Sequence, residues 1–129
     1  MNNDRNLPIH EVFLLKAEQD LTLVRKNIND DDIAEETLLF HLQQAIEKAL
    51  KSLLSHGKVS FGKMHDIAEL IRIAEENEIK LPEGIDEMDE LTPFATTGRY
   101  DFSCDSVDDL ASFFQKTEDF LIFVRKEVS

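Results

Sequence analysis

A chain of 129 residues fits one domain, residues 1–129, and leaves little room for a second. It carries 27 acidic and 14 basic side chains, a net charge of −13, so its surface as a whole repels phosphate backbones and broad DNA binding is excluded. Cys104 is the only cysteine, which rules out an internal disulfide or a multi-cysteine zinc site and fits a reducing compartment.

The opening Met1-Asn2-Asn3-Asp4-Arg5 is too polar for a signal peptide, and the longest apolar run, Phe120 to Val124, is far too short to span a bilayer. The expectation is a cytoplasmic protein without membrane contact. Nine Phe, no Trp and 4 Gly point to a helical core rather than a sheet.

In chain order, Phe13, Ala17, Leu21, Val24 and Ile28 recur at helical spacing and predict a first helix over about Ile9 to Ile28. Pro8 suits its start. Asn29-Asp30-Asp31-Asp32 offers N-caps for a second helix over about Ile33 to His56, the longest in the chain. At about 100° per residue, Leu38, Leu42, Ala45, Ile46, Ala49, Leu50, Leu53 and Leu54 give it a broad apolar face, which places it at the centre of the core. Gly57 supplies its stop.

Asp66, with Glu69 three residues on, reads as a capping box for a third helix striped by Ile67, Leu70, Ile71 and Ala74. Ile79 to Gly84 breaks the pattern. A fourth segment runs from about Asp86 to Gly98, with Pro93 either kinking it or marking a boundary. The last helix has Ser106 as N-cap and reaches about Val128 on a stripe of Val107, Leu110, Ala111, Phe114, Leu121 and Val124. Phe113 and Phe120 widen that stripe, and Phe123 projects on its polar side. The fold predicted is all-α: an antiparallel up-and-down four-helix bundle with one short additional helix.

The segment "FHLQQAIEKALKSLL" (Phe40 to Leu54), followed by "GKVSFGKMHDIAELI" and later by "GRYDF" before the last helix, resembles the HEPN domain of higher eukaryotes and prokaryotes. The match runs from Lys16-Ala17-Glu18-Gln19-Asp20-Leu21 to Phe123-Val124-Arg125-Lys126. The resemblance implies a helical bundle, a homodimer, and a role in nucleotide or RNA binding. In prokaryotes it further implies pairing with a small nucleotidyltransferase in a toxin–antitoxin-like system. Other branches of that family are metal-independent ribonucleases that use Arg followed four to six residues later by His near the start of the last helix. This chain departs from that pattern. Arg99 is suitably placed, but Cys104, Asp105 and Ser106 stand where the His would be. The lone Arg-x4-His, Arg5 to His10, lies at the opposite end. Metal-free RNA cleavage needs a base or acid poised near neutral pH, which His supplies and Cys104 supplies poorly. A non-catalytic nucleotide- or partner-binding module is therefore expected ahead of a ribonuclease.

The candidate site residues are His41, Gln44, Lys48, His65, Asp66, Arg99 and Tyr100. His41, Gln44, Lys48 and Ser52 form a row on the second helix, either a donor surface for phosphate or base edges or the wet side of a core helix. Gln43, at the edge of the apolar arc, needs partners for its amide, from a neighbouring helix, a dimer mate or a ligand. His65-Asp66 is a helix cap on one reading, and a general-base dyad or anion site on the other. Arg99 and Tyr100 clamp a phosphate and stack on a base, or pair with an acid and pack on the bundle. His10, His41, His56 and His65 lack the spacing of helical metal ligands, and no glycine-rich phosphate loop exists, so no metal or other cofactor is expected. The acidic runs Asp30 to Asp32 and Glu83 to Glu90 are solvated segments or an acidic face for a basic partner.

Overall fold

The computed structural model describes the backbone of residues 6–96 and 107–129, and the side chains of 6–94 and 110–129. All regular structure among them is helical: α1 (Ile9–Asn27), α2 (Glu35–His56), α3 (Ile67–Glu76), a 3-10 segment (Ile85–Leu91), α4 (Thr92–Thr96) and α5 (Val107–Val128). The expected all-α bundle is what forms.

Side-chain contacts give the directions. The start of α1 meets the end of α2, where His10 packs edge-on against His56, while Asp20 further along α1 reaches back to His41 and Lys48. Arg125 near the end of α5 binds Glu11 and Glu18, whereas Arg25 binds Glu118, so α5 also runs against α1. The loop after α2 climbs back to Glu47, and α3 descends alongside α2 until Ile79 lies against Gly57. The 3-10 segment and α4 then return to the start of α3, where Asp89 and Thr92 meet Ala68 and Ile67. The alternation of the bundle is thus completed by the 3-10 segment and α4, with α3 as the extra short element.

As its periodicity predicts, α2 sits at the centre, and each residue of its predicted apolar face is buried, together with Leu39. Leu14, Ala17, Leu21 and Val24 of α1 pack on it, as do Ile67, Leu70, Ile71 and Ala74 of α3. On α5 the inward row is Leu110, Thr117, Phe120, Leu121, Val124 and Val128. Buried Thr117 occupies a turn that apolar counting skips, its hydroxyl donating to the Phe113 carbonyl oxygen at 2.7 Å. With Thr117 inside, Ala111 falls a third of a turn away and is exposed, contrary to the predicted stripe. Phe123 is half-buried and stacks on Phe120 at 6.1 Å rather than standing among polar groups.

Two helix starts differ from expectation for local reasons, while Gly57 ends α2 as expected. The N-cap of α2 is Ala34, which makes no side-chain cap bond. The Asp30 carboxylate accepts instead from the Asp32 N–H at 2.9 Å, closing its own turn four residues ahead of the cap position of α2. The capping box at α3 is half formed: Asp66 accepts from Ala68 N–H at 3.0 Å, but Glu69 turns to Arg72, one turn on, at 2.8 Å. Gly57 is the C-cap of α2 at φ −84°, so it is not the left-handed residue. That position falls to Lys58 at φ 60°, with Val59 N–H bonding to Leu54 O at 2.8 Å and Lys58 N–H to Ser55 O at 3.0 Å. The end of α3 repeats the device with Glu78 at φ 61° and Ile79 N–H bonding to Ala74 O at 2.9 Å. Gly57 instead admits the other terminus, since a Cβ there would lie 3.3 Å from Ile79 Cδ1. Left-handed backbone is unfavourable for side chains bearing Cβ, so Lys58→Gly and Glu78→Gly should each stabilise the fold by about 1 kcal/mol, read as a raised melting temperature.

Pro93 marks a boundary: it is the second residue of α4, where a missing N–H costs no helical bond. The predicted Ser106 cap and the Gly98 terminus lie outside the described residues.

Candidate functional site

The polar side of α2 carries two rows a fraction of a turn apart. His41 and Lys48 lie two turns apart on one line. Both converge on Asp20 of α1: His41 Nδ1 is 3.0 Å from Oδ1, and Lys48 Nζ is 2.7 Å from Oδ2. The two nitrogen groups read as open donors in the sequence therefore share one half-buried carboxylate. A phosphate arriving here would have to displace Asp20.

The second row is Gln43, Glu47 and Lys51, at successive four-residue steps and all buried. Glu47, 4% exposed, is its hub. Its Oε1 accepts from Gln43 Nε2 at 2.9 Å, and its Oε2 accepts from Lys51 Nζ at 2.9 Å and His65 Nδ1 at 2.8 Å. Gln44 joins through a 2.7 Å bond to Gln43 Oε1, which couples it to this row rather than to His41 and Lys48. The Lys51 ammonium also lies 5.6 Å from the centre of the Phe61 ring. Among the described residues no buried side-chain polar atom lacks a partner. Burial alone would raise the Glu47 carboxyl; the bonds from Lys51, His65 and Gln43 outweigh it and hold the group below its ordinary value of 4.5.

His65 is the outer end of this network, with its side chain 63% exposed while Glu47 is almost covered. A carboxylate on Nδ1 can only accept, so the ring hydrogen of this contact sits on Nδ1 and Nε2 is turned away from Glu47. That orients an imidazole as a base or acceptor. The neighbouring α3 terminus is poor for anions, because the Ala68 N–H is shared by Asp66 and Asp89 and the Ile67 N–H faces Thr92 Oγ1 at 3.4 Å. Two carboxylates at those donors leave Asp66 as a cap.

The structure thus joins His65 and Gln44 through Gln43 and Glu47, pairs His41 with Lys48 through Asp20, and places Asp66 outside both groups. Arg99 and Tyr100 lie outside the described residues, as does Cys104. Ser52 faces the start of α1, donating to the His10 carbonyl oxygen at 2.8 Å. Asp20 and Glu47 are the residues that sequence reasoning missed. A signal existed for Glu47, a charge flanked by Ile46 and Leu50 with Gln43 and Lys51 one turn to either side. Asp20, between Ala17 and Leu21 on the apolar stripe of α1, offers a weaker one. Among the described residues, no group of three His, Cys, Asp or Glu side chains is placed to hold a metal ion. No helix of the described residues is long and apolar enough to cross a membrane.

A central helix wrapped by five shorter or equal helical elements, with a buried ionic chain running out to one histidine, defines an all-helical bundle with an apolar core. The family model of the HEPN domain matches residues 10–127, and the chain belongs to that family. Comparison with curated proteins gives no match, and comparison with solved structures gives none.

Proposed function

We propose that this HEPN domain is a non-catalytic binding module, one that engages a nucleotide or a partner and acts with a small nucleotidyltransferase in a toxin–antitoxin-like pair. The observation that carries the reading is the internal use of the reactive groups on α2. Asp20 takes His41 and Lys48, and Glu47 takes Lys51, which leaves His65 as the exposed polar end of the network. Side chains engaged this way hold a surface in shape rather than turn over a substrate. The absence of the Arg-x4–6-His spacing after Arg99 supports the same conclusion. On this reading His65 and Gln44, together with Arg99 and Tyr100, supply the contact surface for the nucleotide or the partner, and the chain acts as a homodimer.

The test is calorimetric titration of the purified chain with ATP and with the nucleotidyltransferase encoded beside it, if one is. Binding of either that falls about tenfold in His65→Ala or Arg99→Ala supports the reading, since a charged or polar anchor contributes on that scale. Failure of both to bind defeats it.

The Glu47–His65 pair favours a second reading, a metal-independent ribonuclease with His65 as base and Arg99 as phosphate clamp, acting across a dimer. A carboxylate-oriented imidazole with a free Nε2 is the arrangement that general-base chemistry uses. RNA cleavage that persists in chelator and disappears in His65→Ala would establish it in place of the first.

A further inference from the structure

The acidic run Glu83 to Glu90 has a structural counterpart that the nucleotide site does not use. Its 3-10 winding puts Ile85, Met88 and Leu91 inside at three-residue steps and turns Asp86, Glu87 and Glu90 outward. The same winding opens a cleft of about 260 Å³ between this segment and α5. Its floor is apolar, made by Pro82, Ile85, Met88 and Phe120. Its rim carries three carboxylates, Glu83, Glu87 and Asp119, against one cation, Lys116.

Lys116 already ion-pairs with Glu87 across the cleft, and Asp119 accepts from Gln115 at 3.0 Å. Glu83 has no ion-pair partner among the described residues. The local balance therefore stays negative, and an ammonium is already seated there. The volume falls below the range of roughly 300–1,000 Å³ usual for small-molecule sites, so it suits one or two side chains rather than a nucleotide. The other acidic run, Asp30 to Asp32, forms a closed turn and lines neither of these features.

We propose that this cleft docks a basic amphipathic segment of a partner protein. An arginine or lysine meets Glu83, Glu87 and Asp119 in place of Lys116, and a neighbouring apolar side chain lies on Pro82 and Phe120. Charge sign excludes nucleic acid as the occupant. The proposal shares with the functional reading only the idea of a protein partner, and none of its residues.

The test is amide chemical-shift mapping of the full chain with the acetylated hexapeptide Leu-Arg-Ala-Leu-Lys-Ala. Shifts confined to residues 82–88 and 116–120 are expected, with affinity about tenfold weaker in Glu83→Lys/Asp119→Lys. Replacing both Leu by Gly in the peptide should weaken binding as well, because the apolar floor then goes unused. Both reversed positions are exposed, so the variant keeps its fold, and its ATP titration should match that of the wild type. A failed ATP titration would then count against the nucleotide reading alone. The proposal is overturned if the reversed variant binds the peptide equally, if the Gly peptide binds as well, or if shifts spread over the whole acidic surface. It is also overturned if the chain alone self-associates and loses that association in the variant, which would make a second copy the occupant.

Discussion

Glu47→Ala is expected to lower stability by about 3–5 kcal/mol, because it leaves the buried Lys51 ammonium unpaired and takes acceptors from Gln43 and His65. A loss of that size is a large part of the roughly 5–15 kcal/mol that holds a typical domain together. Chemical denaturation followed by circular dichroism measures it. The double replacement Glu47→Leu/Lys51→Met should recover most of the loss, since removing both charges removes the desolvation penalty along with the pairing. If the single variant loses less than about 1 kcal/mol, the network is only a surface feature.

The same carboxyl sets a pH dependence. Its folded-state pKa lies below the ordinary 4.5, so near that pH the unfolded chain binds a proton that the folded chain does not. The stabilisation is complete above pH 4.5 and is lost as pH falls through the lower, folded-state value. Glu47→Gln should therefore flatten the acid limb of the stability profile relative to wild type, with the two curves parallel at neutral pH. Exposed Glu69 is also held low by Arg72, but it is unchanged between the two proteins and cancels in the difference.

Leu50→Ala is the second large effect, expected at about 2–5 kcal/mol. Leu50 is fully buried on α2, the helix that both α1 and α5 pack against, so neighbouring elements close the cavity poorly. Ile122, also apolar and on a long helix, is 53% exposed, and Ile122→Ala should shift stability by no more than about 0.5 kcal/mol. Comparable losses at the two positions would mean that α5 buries a face the bundle alone does not cover.

The elements were legible in the sequence because helical periodicity is a local property. The α2 stripe from Leu38 to Leu54 and the Ile67 to Ala74 stripe each identify themselves within a few turns. Helix ends were less legible, because caps compete with nearby alternatives. Asp30 closes its own turn, Glu69 prefers Arg72, and the left-handed positions went to Lys58 and Glu78 although Gly57 stood beside one of them. Thr117 is absent from the predicted α5 stripe because a hydroxyl satisfied by its own helix, at Phe113, looks the same in sequence as one facing water.

The sequence alone determined the fold class and the central place of α2, since spacing along one chain encodes both, and its motifs carried the resemblance to the family. It also supplied the polar row on α2. Only tertiary structure decided what that row does. The carboxylates that claim its cations come from α1, twenty-odd positions earlier, and from one turn along α2 itself, and which of them meet depends on how the helices cross. Asp20 closes over His41 and Lys48, while Glu47 draws in Lys51 and reaches His65 from the following loop. A charge that pairs internally and one that waits for a ligand are identical in sequence. Proximity in the folded chain separates them, and here it turned most of an apparent binding row into part of the scaffold.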